Sequence, residues 1–360
     1  MSPYDLRVPP PRRAGGSRPE PLLALLARVT PLLVRGSARR AIRRPAAVDR
    51  ALALRVADVT TEAEGVVGLR LVRADGDGAP LPGWRPGAHL DLDLPSGRRR
   101  QYSLCGDPAD RDVYRVAVRL VPDGEGGSRE MHSLTPGAVL RTLGPRNAFP
   151  LALTGTGSLL FVAGGIGITP ILPMVRAAAV AGADWRLVYA GRDRASLPYL
   201  DELTELAASE PARLRVRSDA EAGGPPSAAE LLAGAGPDTA VYFCGPPALI
   251  PALRSAPVLH LERFSPPPIT DGTAFEIQLG RGGAVLPVPA DRTALSVLSA
   301  ARPATAYSCR QGFCGTCRLD VLSGAGSVRH HGSAAARRTD DAMLVCVSRA
   351  EAGARLVLDV

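Results

Sequence analysis

The chain has 360 residues, 46% apolar and 22% charged, a balance that fits two or three globular domains and excludes a disordered or fibrous protein. It contains no lysine, and its net charge of +8 sits in the first fifty residues, where 11 arginines face three acids while the remaining 310 residues are neutral. A basic nucleic-acid face on the folded body is therefore not expected, and no run reaches the ~20 apolar residues that a membrane span needs.

Residues 1–20 are rich in Pro, Gly and Arg and read as disordered. Leu22, Leu25, Leu26, Val29, Leu32 and Leu33 then fall at helical spacing and predict a short amphipathic helix. Arg28 and Pro31 interrupt it, so it does not span a bilayer, and no small-residue cleavage site marks it as a secretory signal. Residues 1–48 form a basic extension on this reading. Its helix is expected on the protein's own body, with a partner or a membrane surface as the alternatives.

From Ala51 the texture becomes short alternating segments broken by turns: Leu52–Val59, Val66–Val72, His89–Leu94, Arg100–Leu104 and Tyr114–Val121. Strands spaced so closely predict a small antiparallel β-barrel over residues 49–152. Arg100-Gln101-Tyr102-Ser103 follows the strand beginning Pro86-Gly87-Ala88-His89. This pair resembles the flavin domain of the ferredoxin–NADP reductase superfamily, whose hallmark is R-x-Y-S. The resemblance implies that Arg100 holds the flavin phosphate, that Tyr102 packs on the isoalloxazine, and that Ser103 hydrogen-bonds near flavin N5. Next comes Gly124-Glu125-Gly126-Gly127-Ser128-Arg129, a glycine turn running into a short helix. Exposed amides at such a turn form an anion site; a solvated hairpin turn is the alternative. The stretch resembles the branch containing phthalate dioxygenase reductase and vanillate demethylase reductase. That resemblance implies that Gly126, Gly127 and Ser128 hold the phosphate of FMN, in preference to FAD.

Over residues 153–262 the pattern changes to strand, glycine turn and helix. Leu159-Leu160-Phe161-Val162-Ala163 is a buried-strand run, followed by Gly164-Gly165-Ile166-Gly167-Ile168-Thr169-Pro170 and a helix predicted from Ile171 to Ala181. This order makes a dinucleotide pyrophosphate cradle from Gly164, Gly165, Gly167, Thr169 and Pro170. Pro170 stands where the Rossmann pattern has its third glycine, a residue suited to a first helical turn. G-G-x-G-x-T-P is the pyridine-nucleotide loop of the same superfamily. Strands at Arg186–Ala190, Leu214–Val216 and Ala240–Cys244 predict an α/β domain with a parallel sheet. The last strand ends at Cys244-Gly245-Pro246, and the resemblance implies that this cysteine sits where hydride passes between nicotinamide and flavin. Arg192 and Arg194 lie near the expected adenosine ribose and leave NADH and NADPH open, the resemblance favouring NADH. Phe264, after His260-Leu261-Glu262-Arg263, is the residue the resemblance would place over the flavin.

A Pro-rich linker at residues 263–273 leads to residues 274–360. Here Cys309, Cys314 and Cys317 follow C-x4-C-x2-C, and Cys346 comes after 28 intervening residues. That is the plant-type spacing for a 2Fe–2S cluster. Gly312 and Gly315 let the backbone fold closely round three thiolates, and Leu344-Val345-Cys346-Val347 predicts a buried strand carrying the fourth. A zinc site would more often use two C-x2-C knuckles, and nothing in the sequence signals an oxidising compartment for disulfides. The surrounding order of strands and one helix resembles a plant-type ferredoxin of β-grasp (α+β) shape.

The fold expected is therefore multidomain: a flavin β-barrel, a parallel-sheet nucleotide domain and a β-grasp ferredoxin. A hydride carries two electrons and a 2Fe–2S cluster one, so a flavin between them can take the pair and release it singly. The expected function is a cytoplasmic, NAD(P)H-dependent oxidoreductase. It would pass electrons through FMN and the cluster to the terminal component of an oxygenase or demethylase, of Rieske or haem-thiolate type. A reductase for a membrane desaturase and a redox-sensing electron carrier are the alternatives.

Overall fold

The computed structural model describes residues 51–360 apart from 77, 125, 154–156, 265–267, 304, 308, 309, 313 and 333. The amphipathic helix expected within residues 1–48 and Cys309, the first of the four expected cluster ligands, lie outside the described residues.

Seven antiparallel strands form the first sheet: β1 (Leu52–Ala63), β2 (Val66–Arg73), β3 (Ala88–Asp93), β4 (Arg99–Ser103), β5 (Tyr114–Arg119), β6 (Val139–Thr142) and β7 (Pro145–Asn147). Their order is β4-β3-β6-β1-β2-β5, with β7 beside β3. An antiparallel bridge from Leu104 to Val116 joins the two ends and closes the barrel. Alternation fixes the inside: Leu54, Val56, Leu69, Leu71, Leu90, Leu92 and Val116 are fully buried together. The first hairpin turns on Glu64-Gly65, where Gly65 has φ +69°, a conformation glycine adopts without steric cost. Helix α1 (Gly127–His132) follows the β5 turn.

The second sheet is parallel: β8 (Ser158–Gly164), β9 (Trp185–Gly191), β10 (Leu214–Ser218), β11 (Thr239–Cys244) and β12 (Val258–Glu262), in the order β10-β9-β8-β11-β12. Every residue of β11 is buried, as befits a strand covered on both faces. Helix α2 (Ile168–Val180) crosses from β8 to β9, and α3 (Leu200–Leu206) follows β9. The sequence predicts α2 from Ile171. It starts three residues earlier, because Pro170 within its first turn needs no amide partner. The order reverses between β8 and β11, so their carboxyl ends open the crevice where such sheets bind ligands.

Barrel and parallel sheet share a core, in which Val66, Cys105, Ala117 and Phe149 pack with Phe161, Ile171 and Tyr242. A polar seam runs beside it. Arg115 donates to Glu202 at 2.8 Å, Arg176 pairs with the same carboxylate, and Arg176 also donates to the Cys105 and Gly106 carbonyls at 3.0 and 2.7 Å.

The third sheet holds β13 (Phe275–Leu279), β14 (Val285–Val288), β15 (Arg318–Ser323), then β16 (Val328–Arg329) outside it, β17 (Ala342–Leu344), β18 (Arg349–Ala350, paired with β16) and β19 (Arg355–Leu358). Its order is β14-β13-β19-β15-β17, with β13 and β19 parallel in the middle. Helix α4 (Ala294–Ala301) packs Leu295, Val297 and Leu298 on this sheet, and the Thr293 hydroxyl caps it by accepting from the Ser296 amide at 3.1 Å. This is the expected β-grasp arrangement.

Candidate functional site

The nucleotide loop leaves β8 at Gly164 and enters α2 at Ile168. Close approach dictates its glycines. A Cβ on Gly167 would overlap the Cys244 carbonyl oxygen, one on Gly164 would overlap the Pro246 ring, and one on Gly245 would lie 3.0 Å from the Gly164 backbone. Residues 164–167 therefore lie against Cys244-Gly245-Pro246, two segments about eighty residues apart that the β8–β11 pairing of Ala163 with Cys244 brings together. The buried Thr169 hydroxyl donates to the Ile166 carbonyl at 3.0 Å and pins the turn. Gly165 has φ +53° with open space on its Cβ side, so backbone groups at the start of α2 stay accessible to an anion.

Cys244 ends β11 fully buried, and the parallel register sets Glu262 of β12 beside it. Burial, and then the Glu262 carboxylate, push the Cys244 thiol well up. Glu262 Oε2 is shielded from solvent without a hydrogen-bond partner, and burial pushes that carboxyl up to about 8. Nothing in the linear motif singled Glu262 out; its partner became visible only once β12 paired with β11. Because its folded pKa is raised, Glu262 favours folding fully below its unfolded value of 4.5, and that contribution is lost as pH rises through about 8. Glu262→Gln should therefore flatten the decline of unfolding free energy between these pH values, as denaturant titrations at pH 5, 7 and 9 would show. An unchanged pH slope would refute the assignment.

On the barrel, β4 carries Arg100 and Tyr102 at alternate positions and ends at Ser103, which is buried opposite His89 of β3. Burial raises the Tyr102 phenol above its ordinary value, so it stays a neutral hydrogen-bonding ring. His89 has a shielded, unpartnered Nδ1, and burial, followed by nearby Arg146, lowers it to about 4. Gly126 has φ +87°, and a Cβ on Gly127 would come within 2.6 Å of Arg100 Nε. Arg100 thus lies across Gly127. Arg98, a residue the motif reading passed over, lies about 3.8 Å from the Cβ position of Gly126 and 3.6 Å from Glu130. It stands just before β4 and outside R-x-Y-S, so that pattern does not point to it. Ser128 is turned back on the loop after β5: its Oγ accepts from the Val121 amide at 3.1 Å and donates to the Val121 carbonyl at 3.4 Å. Phe264 is 49% exposed.

In the third sheet's loop, Gly312 and Gly315 have φ +79° and +73°. A Cβ on Gly312 would press on Val347 and Gly332 at 2.6 and 2.9 Å, so the loop folds closely over the Cys346 turn. Cys317 and Cys346 are buried, and hydrogen bonding from Cys346, outweighing burial, lowers the Cys317 thiol. The Thr316 amide donates to Cys314 Sγ at 3.5 Å. The expected strand round Cys346 is corrected: β17 stops at Leu344, and Cys346 occupies the following turn. The amides of Val347 and Ser348 both reach back to the Leu344 carbonyl, and the Val345 amide donates to the Cys317 carbonyl at 3.3 Å. That turn carries the fourth thiol to the loop. Soft thiolates with an amide donor to sulfur are the donor set of an iron–sulfur cluster, and the three described cysteines fit one.

Residues 161–255 match the oxidoreductase NAD-binding domain family, and residues 277–351 match the 2Fe-2S iron-sulfur cluster binding domain family. Fold and site thus define an iron–sulfur oxidoreductase of the NAD-handling kind. The chain is 40% identical to vanillate O-demethylase oxidoreductase of Pseudomonas putida over 73% of its own length and 85% of that protein's. Its structure matches phthalate dioxygenase reductase with a TM-score of 0.65 and 32% identity, covering 86% of this chain and 98% of that one. It also matches an intact type IV self-sufficient cytochrome P450 monooxygenase with a TM-score of 0.65 and 36% identity, spanning 86% of this chain but 41% of that longer one. The chain belongs to the phthalate dioxygenase reductase and vanillate O-demethylase oxidoreductase family. Among the described residues no helix is long and apolar enough to cross a membrane.

Proposed function

We propose that the chain is the reductase component of an oxygenase or demethylase system, oxidising NADH and delivering electrons singly to a terminal protein of Rieske or haem-thiolate type. The observation that carries this reading is the placement of both ends of such a route on one barrel. The parallel sheet shares the barrel's core, and Arg100 of β4 donates to Tyr307 beside the cysteine loop at 3.1 Å. We divide the chain into a basic extension (1–48), an FMN barrel (49–152), an NAD domain (153–262), a linker (263–273) and a ferredoxin domain (274–360).

The residues present fit each group. Gly164, Gly165, Gly167, Thr169 and Pro170 would hold the pyrophosphate, with Cys244, Gly245 and Pro246 flanking the nicotinamide. Arg98, Arg100, Gly126 and Gly127 would hold the FMN phosphate, Tyr102 and Phe264 would flank the ring, and Ser103 would stand near N5. Ser128 supports that cradle by fixing its turn. When bound, FMN accepts a hydride and releases electrons one at a time. The chain's own part is to orient: the Gly164–Gly245 approach fixes the nucleotide loop against Cys244, and half-buried neutral Tyr102 and buried neutral His89 line the barrel wall. Cys309, Cys314, Cys317 and Cys346 would ligate the irons. Thiolates kept reduced for iron suit a reducing, cytoplasmic setting. The phthalate and vanillate relatives support a Rieske-type or demethylase partner, and the P450 match supports a haem-thiolate one.

Extraction of the purified holoprotein tests the cofactor assignment, with FMN as the expected flavin. A charge-assisted hydrogen bond contributes about 1.5–3 kcal/mol, so Arg100→Gln should weaken FMN retention by roughly ten- to a hundredfold. Extraction of FAD would sink the FMN assignment, and protein without flavin would sink the whole route.

A further inference from the structure

Tyr307 stands two residues before Cys309 and packs on the core of the third sheet. Its phenol oxygen accepts from Arg100 Nη1 at 3.1 Å and from Arg310 Nη2 at 3.4 Å, while the Arg310 guanidinium carbon lies 4.8 Å from the ring centroid. Arg100 also lies across Gly127 of the phosphate cradle. One phenol therefore connects the cradle to the cysteine loop across 207 residues of sequence. A second tie is next to it: Gln311 Nε2 donates to the Arg263 carbonyl, at the end of the parallel-sheet half. Arg310, between the two tying side chains, adopts φ +57° although it is not glycine. Such a conformation is maintained only where the surroundings hold it.

We propose that Tyr307 is a positioning residue that docks the cluster loop on the flavin face of the barrel and so sets the rate of electron passage from flavin to cluster. The proposal rests on the function argued above. Its step moves one electron from NADH-reduced flavin to the oxidised cluster, and no bond forms or breaks. What the chain supplies is separation and orientation, to which such a step is steep: a misplacement of about 1 Å can cost up to about a hundredfold. The tyrosine is suited to this because two guanidinium groups, which repel one another, share one acceptor. Without the hydroxyl both lose that shared acceptor, and the loop loses its tie to Arg100 of the barrel.

Tyr307→Phe keeps the ring and removes only the acceptor. In anaerobic rapid mixing of the full-length holoprotein with NADH, flavin reduction should keep its wild-type rate. Cluster reduction should slow about tenfold or more, the loss expected when one hydrogen bond to a charged group is removed from the docked state. The cluster's electron paramagnetic resonance spectrum and midpoint potential should not move. Independently of turnover, trypsin cleavage after Arg263, assigned by mass spectrometry in flavin-depleted protein, should accelerate several-fold. If Tyr307→Phe fails to load a cluster, Gln311→Ala severs the second tie and is read in the same way. Unchanged cluster reduction in cluster-loaded variants would overturn the docking role, and so would slowing matched by a shifted potential, which would mean a damaged cluster site. Wild-type protein that never passes electrons from flavin to cluster would instead overturn the function on which the role depends.

Discussion

Cys317→Ser protein is expected to oxidise NADH with ferricyanide at close to the wild-type rate and to lose at least ~99% of its cytochrome c and terminal-oxygenase reduction. The asymmetry follows from where the residue lies. Cys317 is 3% exposed in the third sheet's core, beside Cys346 and remote in sequence from the nucleotide loop. Removing one thiolate from a four-ligand set costs the cluster, and with it the free energy the metal contributes to that domain's folding. The barrel and the parallel sheet keep their shared core, so the flavin can still take a hydride from NADH and return its electrons one at a time to ferricyanide, a small one-electron oxidant. Iron and sulfide analysis should fall towards zero while the flavin content stays constant. Normal oxygenase coupling by cluster-free protein would mean that the flavin reaches the partner directly, and the proposed route would be wrong.

Contrasts between particular residues show what the sequence could and could not tell. Strand positions were legible because alternation and buried runs are local: β2, β4 and β11 lie within a residue or two of their expected limits. Motif residues were legible where the spacing itself encodes chemistry, as in the cysteine loop and the glycine turn before α2. Three features were not. Glu262 meets Cys244 only through parallel pairing of β11 with β12, a contact no window of sequence contains. Arg98 joins Arg100 at the glycine turn, yet it lies outside the four residues of R-x-Y-S. Cys346 leaves its strand because two amides converge on one carbonyl, a turn that the apolar run Leu344–Val347 does not advertise. Ser128 is the reverse case: a motif residue whose hydroxyl is engaged by the backbone of its own turn.

The inlet can be closed as selectively as the outlet. Gly167 has φ −63°, an ordinary helical value that alanine would accept, so conformational freedom is not why glycine stands there. Space is. The added Cβ would overlap the Cys244 carbonyl oxygen and lie 2.6 Å from its carbon and 3.0 Å from the Gly245 amide nitrogen, all backbone atoms that cannot rotate away. Relief requires the loop from Gly164 to Gly167 to move off the end of β11, which on the proposed function would displace the start of α2 from the pyrophosphate and Cys244 from the nicotinamide together. A shift of about 1 Å at such a site costs up to about a hundredfold in rate. Gly167→Ala should therefore lower kcat/KM for NADH by about that factor with ferricyanide as acceptor. Dithionite should still reduce its bound flavin and its cluster, because neither the barrel nor the cysteine loop is touched. Gly182→Ala is the matched control: φ +65° makes it strained, about 1–2 kcal/mol of stability, but nothing lies within 4 Å of its Cβ and it is outside the site. If Gly182→Ala keeps wild-type NADH kinetics while Gly167→Ala loses them with flavin and cluster spectra intact, the close approach of the two strand ends is what holds the nucleotide. Equal kinetics in Gly167→Ala and wild type would show that the loop can withdraw from Cys244 without consequence, and the hydride site would have to be sought elsewhere.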